Sequence, residues 1–532
     1  MRFPPAILCR AIAIVALAAP AMARTPTDSM VIASDLSSFV TFDPAAVSEA
    51  AIDGIVKANC DPLLDIDYDD ATKIVPGLAE RWEVSPDKLT YTFHLRPDMK
   101  HFSGNPVTAE DIAWTMRRTL TLNLANSTNI KQWGFAADRA DTDIQAVDTN
   151  TLRVRVAHPY APSLMLRMFT DFRISSAIDR LTVLQHEKDG DLGNAFLTTK
   201  MACAGPFSLS SFRPQEAVIM NANVNYWRNP IKIKRLIFRH VPDSGSRRLL
   251  LLNGDVDVAG LVQAADLDAV KGSSTTHFVQ GPNLDTTYLA LNQKDPILSQ
   301  AKVRLAFKYL FDYDQLQRTV MNRIAKTRQS FVSSGAFGAL PDSDQPFSLD
   351  LAKAKSLISE AGFPNGFEKV LVIQNVPPYA DIAQHLQLNA GKIGIKLSIR
   401  SMAGAQLFTQ HRQRDFELGL YGRGFGYPDA NAMAQVMIVN PDNSDAAKLA
   451  GSTAWRDSWA PDAWFGDKVE RARMESDDAT RKEIYFELQR RYFEEAPQIH
   501  LFQRLSNTGI SNAVKQLRTN GYQTFWATAV KE

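Results

Sequence analysis

The sequence predicts an α/β protein of at least two lobes, on three observations. The first is length: 532 residues are enough for two to four domains at a prior of about 150 residues each. The second is composition, since 45% hydrophobic residues, 22% charged residues and 27 each of Gly and Pro are ordinary for a globular protein. The third is order: after the first 23 residues, strand and helix patterns alternate with no fixed repeat or flexible linker, so the domains should be interleaved.

The first clear elements are a strand and the helix after it. Residues 89–95 alternate apolar and polar side chains, the period of a half-buried strand, and Ser85–Asp87 supplies the turn before it. The segment Thr108–Asp111 resembles a capping box, which predicts that a helix begins there.

Later helices are predicted by their end signals. Asp243 can cap a helix that stops at Gly254, and a strand is expected through Val256 and Val258. After Ser299, four apolar residues at helical spacing predict a core-facing helix: Val303, Ala306, Phe307 and Leu310. A similar stripe follows Asp350 and ends at Gly362.

The C-terminal half continues the alternation. Residues 391–399 predict a strand after a helix, and 416–420 predict another strand. A glycine-rich loop should then cover residues 421–431, and the last helices should span about 467–493.

The N-terminus predicts a cleaved secretory signal at residues 1–23. Arg2 and Arg10 flank a positive segment, Ala11–Ala19 is an apolar run too short to cross a bilayer, and Ala21–Ala23 is a small-x-small cleavage site. No later stretch is long and apolar enough for a membrane helix, so we expect a soluble exported protein.

Two cysteines remain after the signal, Cys60 and Cys203. In an oxidising compartment they could form one disulfide, and two unpaired half-buried thiols are an equal alternative. No zinc-type spacing is present.

Charge and motifs exclude several functions. The net charge is +1 and basic pairs are scattered, so the sequence predicts no nucleic-acid partner. It contains no HExxH motif, nucleophile elbow or metal-ligand cluster, so we expect no enzyme activity, no cofactor and no bound metal.

The segment Gly422–Gly426 follows a predicted strand, but its spacing is not that of a phosphate-binding loop. Tyr421, Phe425 and Tyr427 interleave with its glycines and could give a ligand pocket flat apolar walls. A surface turn whose aromatic residues pack inward is the alternative, and composition does not decide between them.

Eight segments carry a family resemblance in a fixed order: Ile74–Phe102, Val107–Ile112, Ala204–Phe207, Asn223–Trp227 (NVNYW), Asn253–Val258 (NGDVDV), Val303–Phe307, Ala352–Gly366 and Tyr427–Asp429. Together they resemble family 5 of the extracellular solute-binding proteins, the peptide, opine and nickel receptors of ABC importers. The first segment is by itself specific for this family. The short segments are specific only when they occur together in this order.

The resemblance implies a periplasmic-binding-protein-like fold with two lobes, a cleft between them and an additional domain inserted in lobe one. By similarity to dipeptide receptors, lobe one would comprise 24–59, 205–281 and 504–532, the additional domain 60–204, and lobe two 282–503. Ligand contacts with both lobes would select the closed state.

The resemblance implies the function of a periplasmic receptor and the partners that such a receptor has. A monomer would capture a peptide or peptide-sized organic solute and deliver it to an ABC permease and its ATPase. A non-peptide ligand, such as an opine, a sugar derivative or a chelated metal, is the first alternative. A secreted hydrolase with a scattered catalytic site is the second.

The resemblance also indicates what kind of ligand to expect. Dipeptide receptors pair the peptide amino group with an Asp of the glycine-rich loop, where this chain has Gly424, and the carboxylate with an Arg, where it has Pro377. A free dipeptide would therefore leave two charged ends without buried partners, which is costly. We expect a different or longer ligand.

The expected ligand-binding residues combine charges and apolar walls: Glu49, Ala50, Tyr379, Tyr421, Gly422, Arg423, Phe425, Tyr427, Asp429, Trp455 and Arg456. Each charge could instead form a solvated or interlobe ion pair. Asp429 could cap the loop, and Trp455 and Trp459 could pack against the last helices.

Overall fold

The structure is a computed structural model that describes residues 25–47, 50–228, 230–260, 264–520 and 523–532. The predicted signal at residues 1–23 lies outside the described residues. Among those described, no helix has both the length and the apolar character needed to cross a membrane. Strands and helices alternate along the chain, so the predicted α/β class is confirmed.

Strands occur in every part of the described chain. In chain order they are β1 (Ser29–Ser34), β2 (Leu64–Ile66), β3 (Ile74–Pro76), β4 (Ala79–Val84), β5 (Thr90–Leu95), β6 (Ile144–Asp148), β7 (Thr151–Arg155), β8 (Phe207–Arg213), β9 (Ala217–Ala222), β10 (Arg235–His240), β11 (Val258–Gly260), β12 (Thr276–Leu291), β13 (Ala325–Thr327), β14 (Glu368–Gln374), β15 (Lys396–Met402), β16 (Leu418–Arg423), β17 (Gln498–Ser511), β18 (Val514–Lys515), β19 (Arg518–Thr519), β20 (Thr524–Phe525) and β21 (Val530–Lys531).

Helices separate most of these strands. They are α1 (Ala50–Lys57), α2 (Ala109–Leu122), α3 (Ser127–Lys131), α4 (Ala140–Asp143), α5 (Pro162–Met168), α6 (Phe172–Ser175), α7 (Arg180–Leu184), α8 (Asn194–Leu197), α9 (Ser244–Asn253), α10 (Ala264–Lys271), α11 (Ala301–Lys308), α12 (Tyr313–Arg318), α13 (Leu351–Glu360), α14 (Tyr379–Gly391), α15 (Gly404–Gln413), α16 (Ala430–Met437), α17 (Thr453–Arg456), α18 (Ala463–Met474) and α19 (Asp478–Glu495).

One eleven-stranded sheet runs through both lobes of the described chain. Its order is β15-β14-β16-β12-β17-β11-β1-β10-β9-β8, and β13 adds to β17. We call the part with β1 and β10 the first lobe and the part with β14 and β16 the second lobe. A separate antiparallel sheet, β4-β5-β7-β6, marks the additional domain.

The long antiparallel pair β12–β17 joins the two lobes. The second-lobe strand β16 pairs with β12 from Thr286 onward, whereas the first-lobe strand β11 pairs with β17 through Ile510. Between Pro282 and Thr286 the β12–β17 register shifts. Such an irregularity bends a strand pair and increases its twist, and here it lies where the sheet passes from one lobe to the other.

Separate buried clusters support the three parts. The additional domain packs around Tyr91, Phe93 and Trp133. In the second lobe, consecutive residues of β12 point to opposite faces of the sheet, so Leu289 belongs to one cluster and Tyr288 to another. The first-lobe cluster also includes side chains of the additional domain, so these two parts share a buried core where they meet.

Most local predictions are confirmed. The Thr108 hydroxyl accepts a hydrogen bond from the Asp111 amide and the Asp111 carboxylate accepts one from the Thr108 amide, a complete capping box at the start of α2. Asp243 and Asp350 cap α9 and α13 as predicted. The four apolar residues predicted for α11 are fully buried, although the helix ends at Lys308 and Leu310 therefore lies just beyond it.

Two predicted boundaries in the second lobe are wrong. The strand placed at 391–399 is β15 at Lys396–Met402, because α14 extends to Gly391 and Gly394 turns the chain with φ 91°. The loop placed at 421–431 begins after Arg423, because β16 continues to that residue in pairing with β12.

The alternative left open for the two cysteines is decided in favour of pairing, since Cys60 and Cys203 form a disulfide. It lies where the chain enters and leaves the additional domain. The entering and the leaving chain segments are packed so closely that a Cβ on Gly205 would lie 2.2 Å from the carbonyl oxygen of Asn59. This neck therefore has both a covalent link and dense backbone packing.

Candidate ligand-binding cleft

Two adjacent cavities lie between the additional domain and the second lobe, with volumes of about 420 and 430 Å³. Both are lined by Arg167, Asp171 and Arg173 from the additional domain and by Phe425–Tyr427 from the second lobe. We call the two cavities together the cleft. Each has the size of a typical small-molecule site.

The two cavities differ in their remaining lining residues. The first cavity also contacts Asp53 and Lys57 of α1 and Asp285 beside the β12 register shift. The second cavity contacts Trp133 of the additional domain and Arg423 at the end of β16. The cleft therefore receives charged residues from all three parts of the molecule.

Arg173 is the central cation of the additional-domain wall. Its Nε and Nη2 atoms donate to the two Asp171 oxygens at 2.8 and 3.0 Å, and its Nη1 lies 3.9 Å from Asp53. Burial alone would lower the pKa of Arg173, but the two carboxylates raise it. Across the cleft, a Cβ on Gly426 would lie 4.0 Å from Nη2, so the glycine backbone comes close to this guanidinium.

Asp429 is fully buried and holds the second-lobe loop in place. Its carboxylate accepts from the Asn431 amide as the N-cap of α16 and receives two bonds from Arg481 at 3.1 and 3.0 Å. Nε of Arg167 lies 3.6 Å from the same carboxylate. The expected ligand-facing group is therefore committed to capping and ion pairing within the protein.

Asp285 was not found by sequence reasoning. It lies next to Gly424 on the neighbouring strand, where a Cβ on Gly424 would be 2.5 Å from Oδ1 of Asp285. Burial raises the pKa of Asp285, and Arg504 offsets this only in part. Among the described residues, its carboxylate forms no ion pair within 4 Å.

Arg423 and Arg456 form a cationic pair beside the second cavity. Arg423 donates to the Gly451 carbonyl at 3.1 Å, and its buried Nε has no hydrogen-bond partner among the described residues. Arg456 donates through Nε to the Ala450 carbonyl at 2.6 Å. Burial and then the nearby Arg423 lower the pKa of Arg456 to about 10.

Other predicted residues lie behind the cleft wall rather than in it. Tyr421 is buried and stacks on His411 with ring centres 4.0 Å apart. Trp455 donates to the Ser444 carbonyl and lies against Arg414. Trp459 packs on Phe465 and Tyr492 of the last helices.

Tyr379 and Gly422 lie against each other in the second lobe. The Tyr379 hydroxyl would be 2.8 Å from a Cβ on Gly422, so this glycine gives the ring its space. Of the first-lobe predictions, Glu49 lies outside the described residues, as does the side chain of Ala50. The helix that follows contributes Asp53, Gly54 and Lys57 to the first cavity.

The two lobes, the additional domain and the charged cleft define a solute-binding protein of the periplasmic-binding-protein class. The family model for bacterial extracellular solute-binding proteins, family 5 Middle, matches residues 73–445. This chain belongs to that family, as its sequence motifs predicted.

Relatives support the same assignment. The probable D,D-dipeptide-binding periplasmic protein DdpA of Escherichia coli strain K12 is 26% identical over 446 residues, covering 84% of this chain and 82% of that protein. The fold matches DppA from Helicobacter pylori in complex with the peptide STSA, with a TM-score of 0.79, 21% identity and coverage of 95% and 98%. It also matches NikZ from Campylobacter jejuni in complex with Ni(L-His), with a TM-score of 0.76, 20% identity and coverage of 95% and 100%.

These findings confirm the predicted fold and the role of a substrate-binding protein of an ABC importer. The protein is a binding protein rather than an enzyme. Its relatives include proteins named as periplasmic.

Proposed function

We propose that this protein captures a peptide or peptide-sized organic solute in the periplasm and delivers it to an ABC permease with its ATPase. The observation that carries the proposal is the cleft, where charged groups of the additional domain face a glycine- and aromatic-containing loop of the second lobe. Glycine-flanked backbone and flat rings suit an extended organic ligand that has its own hydrogen-bonding groups.

The proposed division of the chain follows the path of the sheet. Residues 1–23 are a signal removed on export. The first lobe comprises 24–59, 205–281 and 504–532, the additional domain 60–204, and the second lobe 282–503. The register shift between Pro282 and Thr286 supports the hinge at 281–282, since an irregular strand pair bends more readily than a regular ladder.

The proposed mechanism is a shift in population between open and closed states. A ligand that contacts the additional domain and the second lobe together is bound fully only when they approach each other. Binding therefore selects the closed form, and the permease recognises that form. The receptor acts as a monomer and leaves the bonds of its ligand intact.

The proposed contact residues are those that line the cleft. Arg423, Phe425 and Tyr427 remain from the sequence-derived set, and Asp171, Arg173 and Asp285 join them. Tyr379, Gly422, Tyr421 and Trp455 support that wall from behind. Ala50 is the first residue of α1, the helix that reaches the first cavity, and Glu49 comes directly before it in the sequence.

The most direct test is mass spectrometry of solutes released by denaturing the protein after gentle purification from the exported fraction. We expect peptides. A single opine, sugar derivative or metal chelate that is released stoichiometrically and rebinds would replace the proposed ligand class.

Small-angle scattering tests the proposed closure separately. Saturation with the released solute should reduce the radius of gyration. An unchanged radius at full occupancy would contradict the mechanism, whatever the ligand is.

A further inference from the structure

We propose that the protein has a second binding site, outside the cleft and beside Trp227, for a small solute that carries a carboxylate on a flat apolar body. The inference goes beyond the proposed function, because the transported solute is proposed to bind in the cleft.

The site is a cavity of about 260 Å³ beside the antiparallel pair β2–β3. We call the cavity bounded by β2, β3, Arg96 and the pair Trp227 and Arg228 the hairpin pocket. Ile66 of β2 lines both the hairpin pocket and the first cavity of the cleft, so this strand separates the two. The volume is below the usual range for drug-sized ligands and suits a small ring with one charged group.

Two guanidinium groups share one indole in this pocket. The Cζ atoms of Arg96 and Arg228 lie 4.4 and 4.5 Å from the centre of the Trp227 ring. Cation–π attraction holds each guanidinium against the ring, but it also brings two positive charges close together. Burial and then the charge of Arg228 lower the pKa of Arg96. A bound anion would offset this repulsion.

Arg96 has donors available for such an anion. Its Nε donates to the Gly77 carbonyl at 3.0 Å, and among the described residues its side chain makes no other hydrogen bond and no ion pair within 4 Å. Both Nη groups are therefore uncommitted within the described protein. A planar carboxylate can accept two parallel hydrogen bonds from a guanidinium, which an ammonium group cannot offer.

The buried acids next to the stack are already engaged. Asp65 accepts from Nη2 of Arg228 at 2.8 Å and lies 3.8 Å from Nζ of Lys57. Asp61 accepts from the Trp227 indole at 2.9 Å. These contacts fix the ring and Arg228 in place, and they leave Arg96 as the cation that lacks a counter-charge.

Asp67 is the acid in the wall of the hairpin pocket. Its Oδ1 accepts from the amides of Asp69 and Asp70 at 2.9 and 3.0 Å, so it caps the turn that follows β2. Two amide donors delocalise part of its negative charge, and the carboxylate is held on the turn rather than on Arg96.

Flat and apolar side chains form the rest of the wall. The Tyr68 ring packs on Phe525 with ring centres 4.4 Å apart, and its hydroxyl accepts from Arg228 at 3.1 Å. Val75 of β3 adds an aliphatic surface. Two fixed rings favour a flat ligand body over a flexible chain, so we expect an aromatic carboxylate to bind better than an aliphatic one.

The test uses the full mature protein with isotope-labelled tryptophan, benzoate as the probe and benzamide as its uncharged counterpart. The chain has eight tryptophans, and Trp227→Phe and Trp133→Phe identify the NMR indole signals of the hairpin pocket and of the second cavity. We expect benzoate to shift the Trp227 signal with a Kd of about 1 mM and benzamide to bind about tenfold more weakly.

Substitutions at Arg96 test the role of its guanidinium. Arg96→Gln should weaken benzoate binding about tenfold, and Arg96→Lys, which keeps the charge without the planar fork, should lie between the two. Arg81→Gln changes an exposed arginine of β4 outside the pocket lining and should bind benzoate like the unsubstituted protein. Thermal unfolding of each variant checks its folding.

Three results would overturn the proposal. Benzoate that shifts the Trp133 signal and leaves Trp227 in place binds in the cleft instead. Equal affinity of folded Arg96→Gln and the unsubstituted protein would exclude Arg96 as the anion's partner. Equal affinity for benzoate and benzamide would show that the carboxylate is not recognised.

A last comparison separates a free solute from a partner protein as the source of the carboxylate. An acidic tetrapeptide with both ends blocked has carboxylates without a flat body, and we expect it to bind more weakly than benzoate. Tighter binding of this peptide would overturn the small-solute site and identify a contact for an acidic protein segment. The proposed function does not depend on these results, since the solute released from the cleft tests it separately.

Discussion

The Nε atom of Arg167 lies 3.6 Å from the Asp429 carboxylate and joins the additional domain to the second lobe. Arg167 is anchored on its own side by bonds to the carbonyls of Ala71 and Thr72. Asp429 is anchored on the other side by Arg481. The contact crosses the cleft margin between two preorganised groups, so it stabilises the approach of the two parts before any ligand is present.

Arg167→Met should therefore favour the open state of the ligand-free protein. Loss of this charge-assisted contact is expected to shift the equilibrium by about 1–3 kcal/mol. Small-angle scattering should show a larger radius of gyration without ligand. Arg153→Met, at an exposed residue of the same domain, should leave the radius unchanged. Equal radii for both variants would contradict the role of Arg167.

Arg481→Met should destabilise the folded protein. It removes the two hydrogen bonds that Arg481 donates to the fully buried Asp429, whose carboxylate then keeps the Asn431 amide and the more distant Arg167. Breaking a buried ion pair at one partner costs about 3–5 kcal/mol. Urea unfolding measures the loss, and Arg490→Met on the exposed face of α19 should change stability by about 0.5 kcal/mol or less. A loss equal to that of the control would show that Asp429 finds other partners.

Replacing both paired cysteines, Cys60→Ser with Cys203→Ser, should lower the free energy of unfolding by about 2–5 kcal/mol. The cross-link closes a loop with a sequence separation of 143, and long loops gain most from closure in the unfolded chain. Denaturation with and without reductant is the measurement. The unsubstituted protein should lose stability on reduction, and the double variant should not respond.

Lys308 should make stability depend on pH. Its ammonium group is buried, donates to the Phe493 carbonyl and has its pKa lowered to about 7 by burial and then by Arg304. Because the unfolded lysine titrates near pH 10.4, the unfolded chain binds more protons between these values. Stability should therefore rise with pH from about 7 to 10 by up to about 1.4 kcal/mol per pH unit.

Lys308→Met should lack this rise, whereas Lys353→Met on the exposed face of α13 should retain it. Urea titrations at several pH values provide the comparison. Parallel curves for the unsubstituted protein and Lys308→Met would contradict the lowered pKa.

Local sequence signals predicted local structure well because their partners lie a few residues apart. The capping box of Thr108 and the end signals of α9 and α13 depend on such short distances. The end of β16 depends instead on its pairing with the distant strand β12, and the predicted loop therefore began three residues too early.

The candidate site was harder to predict for the same reason. The sequence showed that Gly424 has no side chain but not that Asp285 lies beside it, since their proximity arises from the pairing of distant strands. The sequence predicted a capping role for Asp429 as one alternative. It did not predict the ion pair with the buried Arg481, because that residue belongs to the distant helix α19. Tyr421 was predicted as a pocket wall because it belongs to the aromatic pattern of the loop. Its side chain lies on the face of β16 that packs against His411 instead.

The neck formed by Cys60 and Cys203 restricts how the molecule can move. A module tethered by two separate strands of polypeptide could swing on its own, but a cross-linked base resists independent rocking. The additional domain and the first lobe should then move together as one rigid jaw. Any bending between this jaw and the second lobe must take place in the long β12–β17 strand pair.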